Sequence, residues 1–216
     1  VFVAVFSSVL ATHDPLAHDL DLRLGAPNWD HYFGTDGFGR DVFSRVLYGT
    51  RISLFIGGIS VCIATLMGTL LGILSAYAGG NLDIIAQRIL DTVMGFPFLV
   101  LILLIVVAIP GSITSIVVGI TIAQIPPIAR LARASSLPLK NLDYINAAVI
   151  NGSTNSRIIL KHLFPNSFGP VLAQVSGYFG AAVTADTSLG FLGLGIPPPY
   201  PTWGGMIQDG VQNYFE

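Results

Sequence analysis

Few side chains in this sequence could carry catalysis or hold a metal, and their spacing favours neither. His13, Asp14, His18 and Asp19 offer ligand-type groups close together, but zinc sites draw on a further group of ligands at defined spacing, and none follows. They read as a solvated loop. Cys62 stands alone in an apolar run, which rules out a disulfide framework or a thiolate metal site and leaves a small packing residue. No G-x-x-x-x-G-K-[ST], H-E-x-x-H or G-x-S-x-G occurs, so a phosphate-cradling loop and the common hydrolase signatures are absent from the sequence. Two polar groups do sit in apolar surroundings: Gln124, beside Pro126 and Pro127, and Asp186, at the end of a charge-free run. Either could line a substrate path. The plainer alternatives are helix packing for Gln124 and an interfacial position for Asp186.

The elements that must position these groups belong in a bilayer. Hydrophobic residues make up 52% of the chain and charged residues 10%, with a mean hydropathy of +0.72; soluble domains average roughly 25% charged. A net charge of −2 also argues against nucleic acid. The predicted fold class is all-α, a polytopic membrane helical bundle.

Residues 1–11 are apolar but short of the roughly 20 residues a span needs, and are expected to be the end of a first transmembrane span rather than a signal-peptide core. Residues 12–51 are polar, with acids and arginines interleaved, and are expected to form an extracytoplasmic loop and an interfacial helix starting near Asp41. Residues 52–186 are expected to be the transmembrane bundle, with spans at about 52–77, 84–109, 112–132 and 166–186. Gly68 and Gly72 give the first of these a GxxxG spacing for close helix approach. Gly95-Phe96-Pro97 should bend the second, and Pro110-Gly111 should turn a hairpin between the second and third. Residues 187–216, rich in glycine and proline at first, are expected to be an extracytoplasmic loop or re-entrant segment.

One polar, basic interruption remains, Asp143 to Asn166. Arg130 to Lys161 holds five bases (Arg130, Arg133, Lys140, Arg157, Lys161) against Asp143, so the positive-inside rule places it in the cytoplasm. Asp143 to Asn151 suits a short helix of roughly 15 Å, with Ala147 and Ala148 keeping one face low. Gly152 then breaks it. Ser153 or Asn155 can cap a second helix that carries Arg157 and Lys161 one turn apart, before Pro165 and Asn166 launch the next apolar segment. The result is an angled foot over 133–165.

That stretch, DYINAAVINGSTNSRIILKHLFPN, resembles the EAA loop of bacterial ABC importer permeases, whose pattern is Glu-Ala-Ala, three residues, Gly, then nine residues before Ile-x-Leu-Pro. Ala147, Ala148, Gly152 and Pro165 match in register. Asn146 replaces the glutamate and so removes a charge contact, while His162 and Phe164 stand at the isoleucine and leucine positions. GTDGFGRDVFSRVLYGTRISL and SLGFLGLGIPPPYPTWGGMI are similar to the opening segment and late outer loop of the second-subunit type in the dipeptide, oligopeptide and nickel branch.

The resemblance implies a type I importer permease with six spans, of which this chain would hold the end of the first and all of the second to fifth. It implies bacterial inner-membrane localisation, no cofactor in this chain, and ATP and Mg on two separate cytoplasmic ATP-binding cassette subunits. A second permease subunit and an extracytoplasmic substrate-binding protein complete the partners. The coupling residues would be Asp143, Tyr144, Asn146, Ala147, Ala148, Gly152, Arg157, His162, Pro165 and Asn166, with Arg157 and Lys161 meeting acidic groups or lipid phosphates. The rival classes are an ion-coupled secondary transporter, which also uses broken helices, and an intramembrane hydrolase, which would need a nucleophile or metal within the spans.

Overall fold

The computed structural model describes residues 1–109 and 113–213. Its helices are α1 (Phe2–Val5), α2 (Ser7–Leu10), a 3-10 turn (Leu20–Leu22), α3 (Val42–Ala78), α4 (Gly80–Met94), α5 (Phe98–Ala108), α6 (Ile113–Leu139), α7 (Asp143–Ile150), α8 (Asn155–Ile158), a π turn (Ile159–Leu163), α9 (Phe164–Phe191) and α10 (Trp203–Asn213). No strand occurs among the described residues; Thr35 and Asp41 form one isolated antiparallel bridge. The expected hairpin turn at Pro110-Gly111 lies outside the described residues.

Several boundaries differ from the sequence expectation for local reasons. The helix expected near Asp41 does start at Val42, where the Asp41 carboxylate accepts from the Ser44 amide at 2.8 Å and caps it, but it runs without a break into the span expected from 52, so the two are one helix. Burial raises the Asp41 carboxyl, but the Ser44 hydroxyl and amide, His31 and the nearby His13 together hold it below the usual carboxylate range. Between α4 and α5 the chain turns by 87°, at the Gly95-Phe96-Pro97 sequence read as a bend, so residues 84–109 are two helices rather than one. Residues 133–139 belong to α6 rather than to the loop. Cys62 is exposed on α3 rather than packed. Leu66, one turn on, is exposed beside it.

By length and composition α3 and α6 can each cross a bilayer, and α4 with α5 can do so as a bent pair. α9, expected to span over 166–186, has the length but carries Asn166, Gln174 and Asp186 along it, and it is not among the helices that meet the same criterion.

Two compact units divide the chain. The first comprises Val1–Ile59, Leu103–Val117 and Ala181–Glu216; the second comprises Ser60–Ile102 and Val118–Gly180.

In the first unit, the GTDGFGRD segment is tied around the Asp36 carboxylate. This group accepts from the amides of Phe38 at 2.9 Å and Arg40 at 3.0 Å, and from Arg40 Nε at 2.7 Å. Arg45 Nε lies 3.4 Å away. Arg40 and Arg45 are buried, so their charges need these partners. Arg45 also donates to the Pro15 carbonyl at 3.2 Å, and Arg40 reaches Asp209 of α10 at 3.6 Å. The Trp203 indole donates to the Val46 carbonyl at 3.4 Å. Thr202 caps α10, its hydroxyl accepting from the Gly205 amide at 3.1 Å; a helix thus forms within residues expected to be loop.

In the second unit, α3 and α6 cross at Gly72. A Cβ there would lie 2.2 Å from the Ala129 carbonyl oxygen, so no larger residue fits without separating the helices. Ala64, Ile128, Ala132 and Val171 form the buried cluster beside this crossing. α4 is held to α6 by two ion pairs, Asp83–Arg133 and Asp91–Arg130. Its acids therefore face the protein, while Leu82, Ile85 and Ile89 stay exposed.

Candidate functional site

The foot at 143–166 lies wholly in the second unit. α7 runs over Asp143–Ile150 and buries one side chain deeply, Ile145, which is 2% exposed. Ile145 joins Ile73, Ile158, Ile159 and Leu163 in one apolar cluster, flanked by Tyr77, Leu139 and Phe164. The foot thus has its own anchor on α3 and α6. The Tyr77 hydroxyl donates to Asn155 Oδ1 at 2.9 Å, and Lys140 Nζ donates to the Ala76 carbonyl at 2.7 Å.

The opposite face of α7 is open. Asp143, Tyr144, Asn146 and Ala147 are exposed, Ala148 is half-buried, and Val149 and Ile150 are exposed large apolar residues. Residues 143, 146, 147 and 150 share one helical face, which makes the outward surface small, partly apolar and uncharged beyond Asp143. Gly152 ends the element with φ +75°, a left-handed conformation that glycine adopts without strain. No atom lies within 4 Å of a Cβ built there, so the glycine serves the backbone turn rather than close packing.

The second helix is capped by Thr154, not by Ser153 or Asn155: its hydroxyl accepts from the Arg157 amide. α8 then widens into the π turn Ile159–Leu163 and continues as α9 without a break. Pro165 has no amide to give to the Lys161 carbonyl, and the wide turn immediately ahead of it absorbs that loss. Arg157 and Lys161 are exposed. His162 is half-buried, with its ring 6.1 Å from that of Tyr144. Pro165 and Asn166 are exposed, and Asn166 Nδ2 donates to the His162 carbonyl at 2.7 Å. Of the five bases used to orient the loop, Arg130 and Arg133 are paired with acids of α4.

Gln124 and Asp186 are in different units. Gln124 is buried, and its amide donates to the Tyr178 carbonyl at 2.9 Å, which links α6 to α9. Asp186 is 4% exposed, with the Ser53 hydroxyl as its polar neighbour.

Sequence reasoning did not single out Ile145, Ile158 and Leu163 as the anchor, nor Val149 and Ile150 as the exposed apolar tip. The spacing of the apolar residues along α7 was the available signal, but eight residues are too few for periodicity to fix a face.

Residues 68–214 match the family described as binding-protein-dependent transport system inner membrane component. The chain is 37% identical over 212 residues to the dipeptide transport system permease protein DppC of Alkalihalophilus pseudofirmus, covering 98% of this chain and 70% of the relative. It is 35% identical to the oligopeptide transport system permease protein OppC of Bacillus subtilis, covering 98% and 69%. Identity is 37% to the glutathione transport system permease protein GsiD of Pectobacterium atrosepticum, covering 97% and 70%. Among solved structures, an amino acid ABC transporter crystallised with histidines has a similar fold, with a TM-score of 0.57 at 19% identity over 81% of this chain and 82% of that one. The helical fold, the family match and these relatives agree: the chain belongs to the binding-protein-dependent transport system inner membrane component family and is a membrane permease subunit of an ABC importer.

Proposed function

We propose that this subunit forms part of the path for dipeptides, oligopeptides or a related small solute across a bacterial inner membrane, and that residues 143–166 couple it to a separate cytoplasmic ATPase. The observation that carries this reading is the two-sidedness of the foot. Ile145, Ile158 and Leu163 fasten it to the helices behind it, while Asn146, Ala147 and Ile150 stand clear on the other face.

In this mechanism two ATP-binding cassette subunits close on ATP and Mg and push on two feet, one from this chain and one from a second permease subunit. The push is transmitted because the foot is packed onto α3 and α6 rather than tethered by a loose loop. Ala147, Ala148 and Gly152 give the docking shape, with Asp143, Tyr144 and Asn146 around them. Arg157 offers a cation to acidic groups of the partner, and His162, Pro165 and Asn166 form the base of the foot. Residues 12–51 and 187–216 face the extracytoplasmic side, where a substrate-binding protein delivers the solute. Gln124 and Asp186 are the polar groups proposed for the path itself. Peptide is favoured as the solute because DppC and OppC carry those substrates in their names.

The test is copurification of the full-length subunit with its neighbours, followed by uptake into proteoliposomes of dipeptides, longer peptides, glutathione and nickel. Uptake of one of these that requires ATP inside and no ion gradient is the expected result. Uptake driven by an ion gradient without an ATPase would replace this reading with that of a secondary transporter.

A further inference from the structure

The sequence grouped His13 with Asp14, His18 and Asp19, but the first unit brings His13 to different partners. Asp14 Oδ1 accepts from the Leu16 amide at 2.9 Å, Asp19 Oδ1 accepts from the Asp21 amide at 3.1 Å, and the His18 ring lies against Phe38. Those groups serve local turns and packing. His13 instead meets Asp30 and His31. One ligand atom from each of His13, Asp30 and His31 lies within 4.8 Å of the others. They stand at a cavity of about 390 Å³ that Asp14, His18 and Asp41 also line.

The surroundings hold both the rings and the backbone of this set. His31 is buried, and its Nδ1 lies 2.9 Å from Oδ1 of the almost fully buried Asp41. With Nδ1 turned to this carboxylate, Nε2 is the ring atom left for a metal in the neutral imidazole. A carboxylate behind an imidazole in this way is the usual orienting partner of a metal-binding histidine. His13 Nδ1 has the Thr12 hydroxyl as its hydrogen-bond partner at 3.0 Å, with Asp41 Oδ2 farther off at 3.9 Å, and Nε2 is 3.7 Å from Asp30 Oδ1. The two rings lie 4.6 Å apart and are tilted by 30°. The Asn28 carbonyl oxygen of the side chain accepts from the amides of both Asp30 and His31, at 2.8 and 2.7 Å, and the His13 amide donates to the Ser44 hydroxyl at 3.0 Å.

We propose that His13, Asp30 and His31 form a binding site for a divalent transition metal of the zinc class, in the segment before α3. Two imidazoles and one carboxylate are the ligand types that zinc takes, with a fourth position left to water or to a group from outside the chain. A tetrahedral ion at about 2.1 Å from each ligand requires ligand atoms about 3.4 Å apart. Asp30, with its side chain 82% exposed, is free to supply that closure. Hard cations such as Mg²⁺ and Ca²⁺ favour all-oxygen sets and are excluded by the two imidazoles. The bound ion would clamp residues 13 and 30–31 together in front of the Asp41 cap and fix the first unit's polar segment. On the topology proposed above, this segment faces the extracytoplasmic side, but the site itself rests on geometry alone.

The test uses the full-length subunit in its assembled transporter, stripped with a chelator and titrated separately with Zn²⁺ and Co²⁺. Wild type is compared with His13→Gln and Asp30→Asn, which leave the buried His31–Asp41 pair intact. The expected result is one high-affinity equivalent per subunit that each variant weakens by roughly ten-fold or more, with Co²⁺ giving the visible absorption of a nitrogen and oxygen site. Elution volume and circular dichroism of the variants should match wild type. Binding that is equal in wild type and both folded variants, or no equivalent that wild type holds above them, overturns the proposal.

Discussion

The Tyr77 hydroxyl donates to Asn155 Oδ1 at 2.9 Å, so the last turn of α3 holds the first residue of α8. Tyr77→Phe keeps the packing of the ring and removes only this bond, whose net worth is about 0.5–1.5 kcal/mol and falls at the lower end for an exposed pair. Amides of 143–158 should exchange faster with solvent by hydrogen–deuterium exchange, with the middle of α3 unchanged. Equal exchange in the variant would mean that the bond does not hold the foot.

Anchoring and docking should separate by mutation. Ile145→Ala empties a 2% exposed position in the cluster with Ile73 and Leu163 and should lower stability by about 2–4 kcal/mol. Ile150 is 84% exposed, so Ile150→Asp should leave thermal stability of the isolated subunit within about 0.5 kcal/mol. It should nevertheless weaken copurification of the ATPase by ten-fold or more. Intact copurification with Ile150→Asp would remove the apolar tip from the docking surface.

The helix crossing at Gly72 gives a steric prediction. Gly72→Leu must push α3 from the Ala129 carbonyl and should cost several kcal/mol, about 3 or more, by overpacking. Gly177→Ala, where nothing lies within 4 Å of the added Cβ, serves as the matched control. It should gain or lose less than about 1 kcal/mol. Melting in detergent measures both, and similar midpoints for Gly72→Leu and wild type would contradict the crossing.

Asp83 and Arg133 form a two-bond pair, with Arg133 Nε donating to Asp83 Oδ1 at 2.7 Å and Nη2 to Oδ2. Each charge reversal alone should destabilise the contact of α4 with α6, and the exchanged pair Asp83→Arg with Arg133→Asp should regain part of it. A coupling energy of about 1 kcal/mol is expected for a partly exposed bidentate pair. Additive effects of the two substitutions would show that the pair contributes nothing to holding α4.

Local signals were the legible ones. The break at Gly152, the helix before it and the bend at Gly95-Phe96-Pro97 each depend on a few adjacent residues, and the GxxxG spacing marked a real close approach at Gly72. The cap on α8 differs from the expected Ser153 or Asn155 because Ser153, Thr154 and Asn155 are all good caps, and only the backbone at Thr154 turns its hydroxyl to the Arg157 amide. The continuity of α8 into α9 was hidden because Pro165 reads as a start signal, while the π turn that accommodates it leaves no mark of its own in the sequence. The set of His13, Asp30 and His31 joins residues far apart in the chain. Spacing does not reveal it, because Asp14, His18 and Asp19 stand nearer to His13 in the sequence. Cys62 faces outward because exposure of apolar residues is ordinary on helices made for lipid, so hydrophobicity alone did not tell inside from outside.

If the exposed face of α7 touches an ATPase, a cysteine at Ala147 lies within cross-linking reach of it. In a Cys62→Ser background, Ala147→Cys should form a cross-link to the ATP-binding subunit of the assembled transporter, with a yield that changes when ATP is added. A cysteine at the buried Ala132 should give none. No cross-link from position 147 in an assembled, ATP-hydrolysing complex, with a short reagent or a long one, would contradict the coupling role of the foot.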